Sequence, residues 1–158
     1  MRAARHPRRG ILELLQIEDD TQLVRALVRH AQCRMGWRRL TRAEQVLHDV
    51  AWLAYAVDEG GFFRYFWMDR AARLASAMRG LQAIGAESTL RVVAAAAAAC
   101  PGGRPPRNWR ERRHGMKVLR RPSPHFDSFD EAFWNRTDDL VALLARYARE
   151  HRAEFRDI

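Results

Sequence analysis

Several of the residues that carry chemistry are scarce in this chain of 158 residues, and each shortage removes a class of function. There are two cysteines, Cys33 and Cys100, far apart and without C-x-x-C spacing, so neither a disulfide framework nor a thiolate zinc site is expected. Both read as free, buried thiols of a reducing compartment. His30 and Cys33 supply two ligands at most, and no second pair at zinc-like spacing follows. The four serines, Ser76, Ser88, Ser123 and Ser128, stand outside any G-x-S-x-G context, which removes the serine-hydrolase signature. The glycine-rich phosphate cradles G-x-x-x-x-G-K-S/T and G-x-G-x-x-G are missing as well, and kinase and dehydrogenase readings go with them. No stretch approaches the roughly 18 apolar residues of a membrane span. The arginines of residues 1–10 precede Ile-Leu-Glu-Leu-Leu-Gln, which is interrupted too early for a secretory signal, so a cytoplasmic location is expected. Strand-like alternation is absent too.

What remains is an ordinary globular composition, 47% hydrophobic and 30% charged, in a chain long enough for one domain that buries roughly 68–70% of its unfolded surface. The net charge of +9 is uneven: residues 1–42 carry +6, residues 43–100 carry −1, residues 101–121 carry +7 and residues 122–158 carry −3. Lys117 is the only lysine. An arginine and alanine bias of this kind also arises from a GC-rich genome, so arginine preference alone says little about phosphate recognition.

Apolar residues recur at helical spacing from end to end. Leu23, Val24, Leu27, Val28 and Ala31 form the stripe of a helix capped by Asp20 or Thr21 and ended near Gly36. Thr41 and Glu44 form a capping box before Val46, Leu47, Val50, Leu53 and Val57. Gly60 should stop that helix, because glycine takes the left-handed conformation without a Cβ penalty. A short helix over residues 61–67 follows, then one from Asp69 to Gly85, and one from about Ser88 to Cys100 that contains six consecutive alanines. Pro101-Gly102-Gly103-Arg104-Pro105-Pro106 opens a connection of about twenty residues that is either mobile or holds a short helix from Trp109 to Val118. A second capping box, Ser128 with Glu131, starts another helix, and Leu140, Leu143, Leu144, Tyr147 and His151 mark the last. The fold class is all-α, a single multi-helix domain of about six to eight helices with one long Pro/Gly/Arg-rich connection.

With those residues in place, the chain resembles the C-terminal domain family of the DNA-mimic proteins, a bacterial all-helical family of uncharacterised role. Five features carry the resemblance: Thr41 to Glu44 before a helix, Gly60-Gly61-Phe62 with Tyr65-Phe66, A-M-R-G-L-Q-A-I-G-A over residues 77–86, an alanine-rich helix ending near a proline, and a closing aromatic-plus-helix segment through Tyr147, His151 and Phe155. The resemblance covers roughly residues 40–155. It implies a helical domain over 41–158 with a divergent basic tail and helix, residues 1–40, packed on it. Glu59, Arg64 and Trp67-Met68-Asp69 depart from the family pattern around the glycine pair. The family takes its name from an acidic member that imitates duplex DNA and so occupies a DNA-binding regulator. Such mimicry needs a strongly negative surface, which a chain of net charge +9 does not supply.

Two candidate sites follow. The first is the turn of Gly60, Gly61, Arg64, Tyr65 and Trp67, where an aromatic-lined bend could dock a partner protein. Its plain alternative is that the glycines reverse the chain and the rings form core, with Tyr65 and Trp67 nearest the rim. The second is the cationic run of Arg104, Arg107, Trp109, Arg110, Arg112, Arg113 and Lys117. There arginines could neutralise phosphates while the indole stacks on a base. Solvated loops of this composition are also common, and Arg2, Arg5, Arg8 and Arg9 either extend the same field or fray. His48 and His151 read as structural histidines. The sequence therefore points to a non-enzymatic helical interaction module that requires no metal or other cofactor. Its expected partner is another protein, with nucleic-acid binding through residues 104–121 as the alternative and self-association left open. An enzyme with a dispersed site would instead show a polar pocket with strongly shifted ionisable groups.

Overall fold

In the computed structural model, which describes residues 10–33, 36–119 and 124–157, one long helix is the axis on which the others pack. The helices are α1 (Ile11–Leu14), α2 (Asp20–Cys33), α3 (Arg42–Trp67), α4 (Leu74–Ile84), α5 (Glu87–Ala98), α6 (Trp109–Leu119), α7 (Asp127–Trp134) and α8 (Leu140–Glu150). Short 3-10 turns lie at Trp37–Arg39, Asp69–Arg73, Pro124–Phe126 and Arg152–Glu154, and no strand occurs among the described residues. Helices α2, α4, α6, α7 and α8 all pack on α3, which gives the compact all-α domain read from the apolar periodicity.

Helix α3 begins with the capping box: the Glu44 amide donates to Thr41 Oγ1 at 3.3 Å, and the Thr41 amide donates to Glu44 Oε2 at 2.8 Å. Glu44 is buried because its other oxygen, Oε1, accepts the Arg156 amide at 3.1 Å, tying the C-terminal segment to the start of α3. Inward from there, Leu47, Val50, Leu53 and Val57 are wholly buried. Gly80 of α4 lets the two helices close up, since a Cβ there would stand 2.7 Å from Val50 Cγ2. Helix α4 ends as expected at Gly85, with φ +78° and the Ala86 amide bonded back to the Leu81 carbonyl at 2.9 Å.

The glycine pair divides α3 into two helical halves, as expected from the sequence: Gly60 (φ −172°, ψ 23°) and Gly61 (φ +70°, ψ −177°) both leave helical geometry, and Phe62 to Trp67 form a second, short helical segment. The left-handed φ, which favours glycine, falls on Gly61 and not on Gly60. Several local expectations are revised. Helix α2 is capped by Asp19, whose Oδ1 accepts the Gln22 amide at 2.7 Å, one residue ahead of the expected cap. The Ser128 and Glu131 box does not form: the 3-10 turn at Pro124–Phe126 runs straight into α7, whose N-cap Phe126 offers no side-chain bond. Asp69 opens a 3-10 turn that precedes α4, so the expected single helix from that point is divided in two. Cys33 is exposed, whereas Cys100 is buried at the end of the alanine-rich α5, where loss of water pushes its thiol up to about 12. The connection after α5 does contain the anticipated short helix, α6. The tail arginines Arg2, Arg5, Arg8 and Arg9 lie outside the described residues.

Candidate functional site

The first candidate turn resolves largely into core. Phe62 stacks on Phe66 at 5.8 Å and meets Phe133 edge-on at 5.6 Å, and Phe66 lies 5.5 Å from Phe126. These rings belong to three elements and are sealed from water. Tyr65 is 3% exposed. Burial, and after it the negative charge of Asp49, pushes its hydroxyl well above the ordinary tyrosine range. Gly61 is buried too. That leaves Gly60, Arg64 and Trp67 of this set in reach of solvent, Trp67 half-buried and stacking on Phe63 at 5.9 Å.

Trp67 also meets the second candidate set. Asn108 caps α6, its Oδ1 accepting the Arg110 amide at 2.9 Å, and this starts a helix whose residues divide by face. Arg112 and Met116, one turn apart, point inward and are 1% and 2% exposed. Arg112 donates from Nη1 to the carbonyls of Pro106 at 2.9 Å and Arg107 at 3.0 Å, and from Nη2 to the Met68 carbonyl at 3.0 Å. It therefore fastens the connection and α6 to the end of α3 and does not present its charge to a partner. Arg113 lies 5.0 Å from the Trp109 ring and 5.6 Å from the Trp67 ring, and Arg110 lies 5.5 Å from Trp109. Trp109 is 46% exposed, and Arg104, Arg107, Arg110 and Lys117 are exposed. A hollow of about 680 Å³ bordered by Ala72, Arg107, Trp109 and Arg110 adjoins this face. The structure thus joins Trp67 of the first set to Trp109, Arg110 and Arg113 of the second.

A further cluster centres on Asp49. Asp49, 4% exposed on α3, accepts from Trp37 Nε1 at 3.0 and 3.1 Å, touches His48 Nδ1 at 3.0 Å and ion-pairs with Arg73 Nε at 3.1 Å. Beside it, the Arg70 guanidinium lies 3.5 Å over the Trp52 ring. The available signal was an aspartate placed within the apolar stripe of α3, between Leu47 and Val50. His151 stacks on Tyr147 at 4.0 Å and contacts the Tyr147 carbonyl through Nδ1 at 3.0 Å, as a structural histidine does.

Among the described residues, no group of three or more His, Cys, Asp or Glu is placed to hold a metal ion. No described helix is long and apolar enough to cross a membrane. A family model described as DMP19-like protein matches residues 38–151, which take in α3 to α8, the α6 cluster and all of the Asp49 cluster except Trp37. No curated protein and no solved structure matches the chain significantly.

Proposed function

Because the chain belongs to the DMP19-like protein family, we propose that it works as a non-enzymatic helical module that docks on an acidic surface of another protein through the α6 face. The observation that carries this reading is the gathering of Trp109, Arg110, Arg113 and Trp67 on one solvent-facing side. Tryptophan and arginine dominate interface hot spots, because each offers large contact area together with a polar or charged handle. The sign of the charge selects the partner: residues 101–121 carry +7, so the complementary surface is rich in carboxylates. Imitation of DNA by this chain is disfavoured by its net charge of +9.

A second reading rests on Trp109, whose half-open indole between two arginines also suits a base of single-stranded nucleic acid with phosphates alongside. One experiment separates the two. The protein and its Trp109→Ala/Arg113→Ala variant are used to capture partners from the native lysate, with and without nuclease. Proteins lost with the variant and retained after nuclease support protein docking. Partners lost on nuclease treatment favour the nucleic-acid reading, and identical capture by both forms rejects the α6 face.

A further inference from the structure

The strongest unassigned feature lies away from α6, in a pocket of about 320 Å³ between the Trp37–Arg39 turn, α3 and the Asp69–Arg73 turn. Its walls include His48, Trp52, Arg70 and Arg73, and no carboxylate is among its described lining residues. The buried Asp49 beside it already has its two oxygens engaged by Trp37, His48 and Arg73. Donors consequently outnumber acceptors among the described residues. Arg70 has its guanidinium face on Trp52 but no hydrogen bond or ion pair with any described residue. The Trp52 Nε1 atom is buried without a partner. His48, 6% exposed, is held in the wall by Nδ1 on Asp49. A buried donor without an acceptor is costly and uncommon, and here the Trp52 Nε1 atom is one, in a residue that lines an open space together with two guanidinium side chains.

Gln32 and Trp52 also line a second, mostly apolar groove of about 540 Å³, walled by Val24, Val28, Ala51, Tyr55, Val141 and others. The two cavities therefore adjoin, with Gln32 and Trp52 as common walls. We propose that together they take an amphiphilic small molecule, an oxyanion head held by Arg70, Arg73 and Trp52 Nε1 with an apolar body in the α2–α3–α8 groove. A planar guanidinium fork matches the two oxygens of a carboxylate or a phosphate, and sites of this kind combine an apolar lining with a few convergent polar groups. The loss of water around Arg70, followed by repulsion from Arg73, lowers its affinity for its proton, and an anion in the pocket relieves the second of these costs. This site is independent of the α6 face.

The test uses the intact protein with octanoate and octyl phosphate below their micellar concentrations, acetate and inorganic phosphate as heads alone, and octanol as tail alone. Affinities are measured by calorimetry, and the tryptophan indole N–H signals are followed by NMR. At least one octyl anion is expected to bind ten times or more tightly than its head group and than octanol, and to shift Trp37 and Trp52 but not Trp109. Arg70→Gln is expected to cut that affinity about tenfold and Arg70→Lys less, while leaving octanol unchanged. The preferred head identifies the source as carboxylate or phosphate. An octyl anion no better than its head or than octanol overturns the proposal, as do shifts confined to Trp109, or equal binding by folded Arg70→Gln protein. The NMR arm needs no variant and decides the matter even where the substitutions impair folding.

Discussion

The carboxylate of Asp130 on α7 fills the space that a side chain on Gly61 would need, and its Oδ1 accepts the Phe62 amide at 2.7 Å. The second half of α3 is thereby capped by a residue 68 positions away. Gly61→Ala must both hold a left-handed φ of +70° and displace that carboxylate. Strain of this kind costs about 1–3 kcal/mol before any overlap, so a loss of about 3 kcal/mol is expected. At roughly 2–4 °C per kcal/mol for a domain of this size, Tm should fall by roughly 6–12 °C. Asp130→Ala, which removes only the cap, should cost about 1 kcal/mol. A scan in which Gly61→Ala melts with the parent protein would contradict this account of the kink.

Asp130 also predicts a pH dependence. Burial pushes its carboxyl up, the Phe62 amide pulls it down, and the negative charge of Asp127 adds to the rise. A folded-state value raised above the unfolded one means that protonation favours the fold, so this contribution is complete below the unfolded value of about 3.9 and is lost as pH rises through the folded one. Asp130→Asn keeps an oxygen for Phe62 and cannot ionise. Its stability relative to the parent should therefore improve from pH 3 upward through the carboxylate range, as followed by urea unfolding. A relative loss over that interval would show that the amide bond outweighs desolvation.

The Asp49 cluster should behave as a unit. Removing one partner of a buried ion pair typically costs about 3–5 kcal/mol, but Arg73 is 25% exposed at its side chain and can recover some hydration. Asp49→Ala is therefore placed at the low end, about 3 kcal/mol. Trp37→Phe removes a single donor and should cost about 1 kcal/mol. A double-mutant cycle measured in urea checks the coupling: additive losses would mean that the indole and the carboxylate act separately.

What sequence could reveal here follows from how local each signal is. The Thr41 and Glu44 box, the glycine pair and the Leu81 to Gly85 ending are encoded within a few residues of one another, and all three appear in the structure. Asp49 instead draws partners from Trp37 and Arg73, brought together only when α4 folds back on α3, so its cluster leaves no local pattern. Asp130 is hidden for the same reason. Ser128 and Glu131 show the converse, a local pattern overridden because the chain enters α7 from a 3-10 turn. The Gly-Gly-aromatic turn was legible as architecture, whereas its exposure was not: Tyr65 and Trp67 carry similar polar handles, yet Tyr65 is buried beside Phe66 and Trp67 is only half-buried on Phe63.

The two thiols should separate by chemistry. Cys33 is exposed, and Cys100 is buried with its thiol pushed up to about 12. At pH 8 the thiolate fraction of Cys100 is negligible and the reagent has no route to it. Ellman titration of the folded protein should release one equivalent quickly and the second only in denaturant. Two fast equivalents would show that the end of α5 opens readily.

The sharpest division concerns three arginines within one turn and a half of α6. Arg112 points inward and holds the carbonyls of Met68, Pro106 and Arg107, while Arg110 is exposed beside Trp109 and Arg113 is half-buried near Trp109 and Trp67. Hydrogen bonds from a charged donor contribute about 1.5–3 kcal/mol, and leaving three part-buried carbonyls with fewer donors adds to the loss. Arg112→Ala should thus destabilise the fold by about 2–3 kcal/mol and loosen α6, visible as faster amide exchange across residues 109–119. Arg110→Ala removes an exposed cation and should change stability by less than about 0.5 kcal/mol, and Arg113→Ala, which takes a half-buried guanidinium from two indole rings, should cost about 1 kcal/mol. Their larger effect should fall on association: retention on an immobilised acidic polypeptide should decline and its salt dependence become shallower. If all three substitutions weaken binding equally while folding is untouched, Arg112 is not the clamp its hydrogen bonds describe. If none weakens binding, the α6 face is not where this module meets its partner.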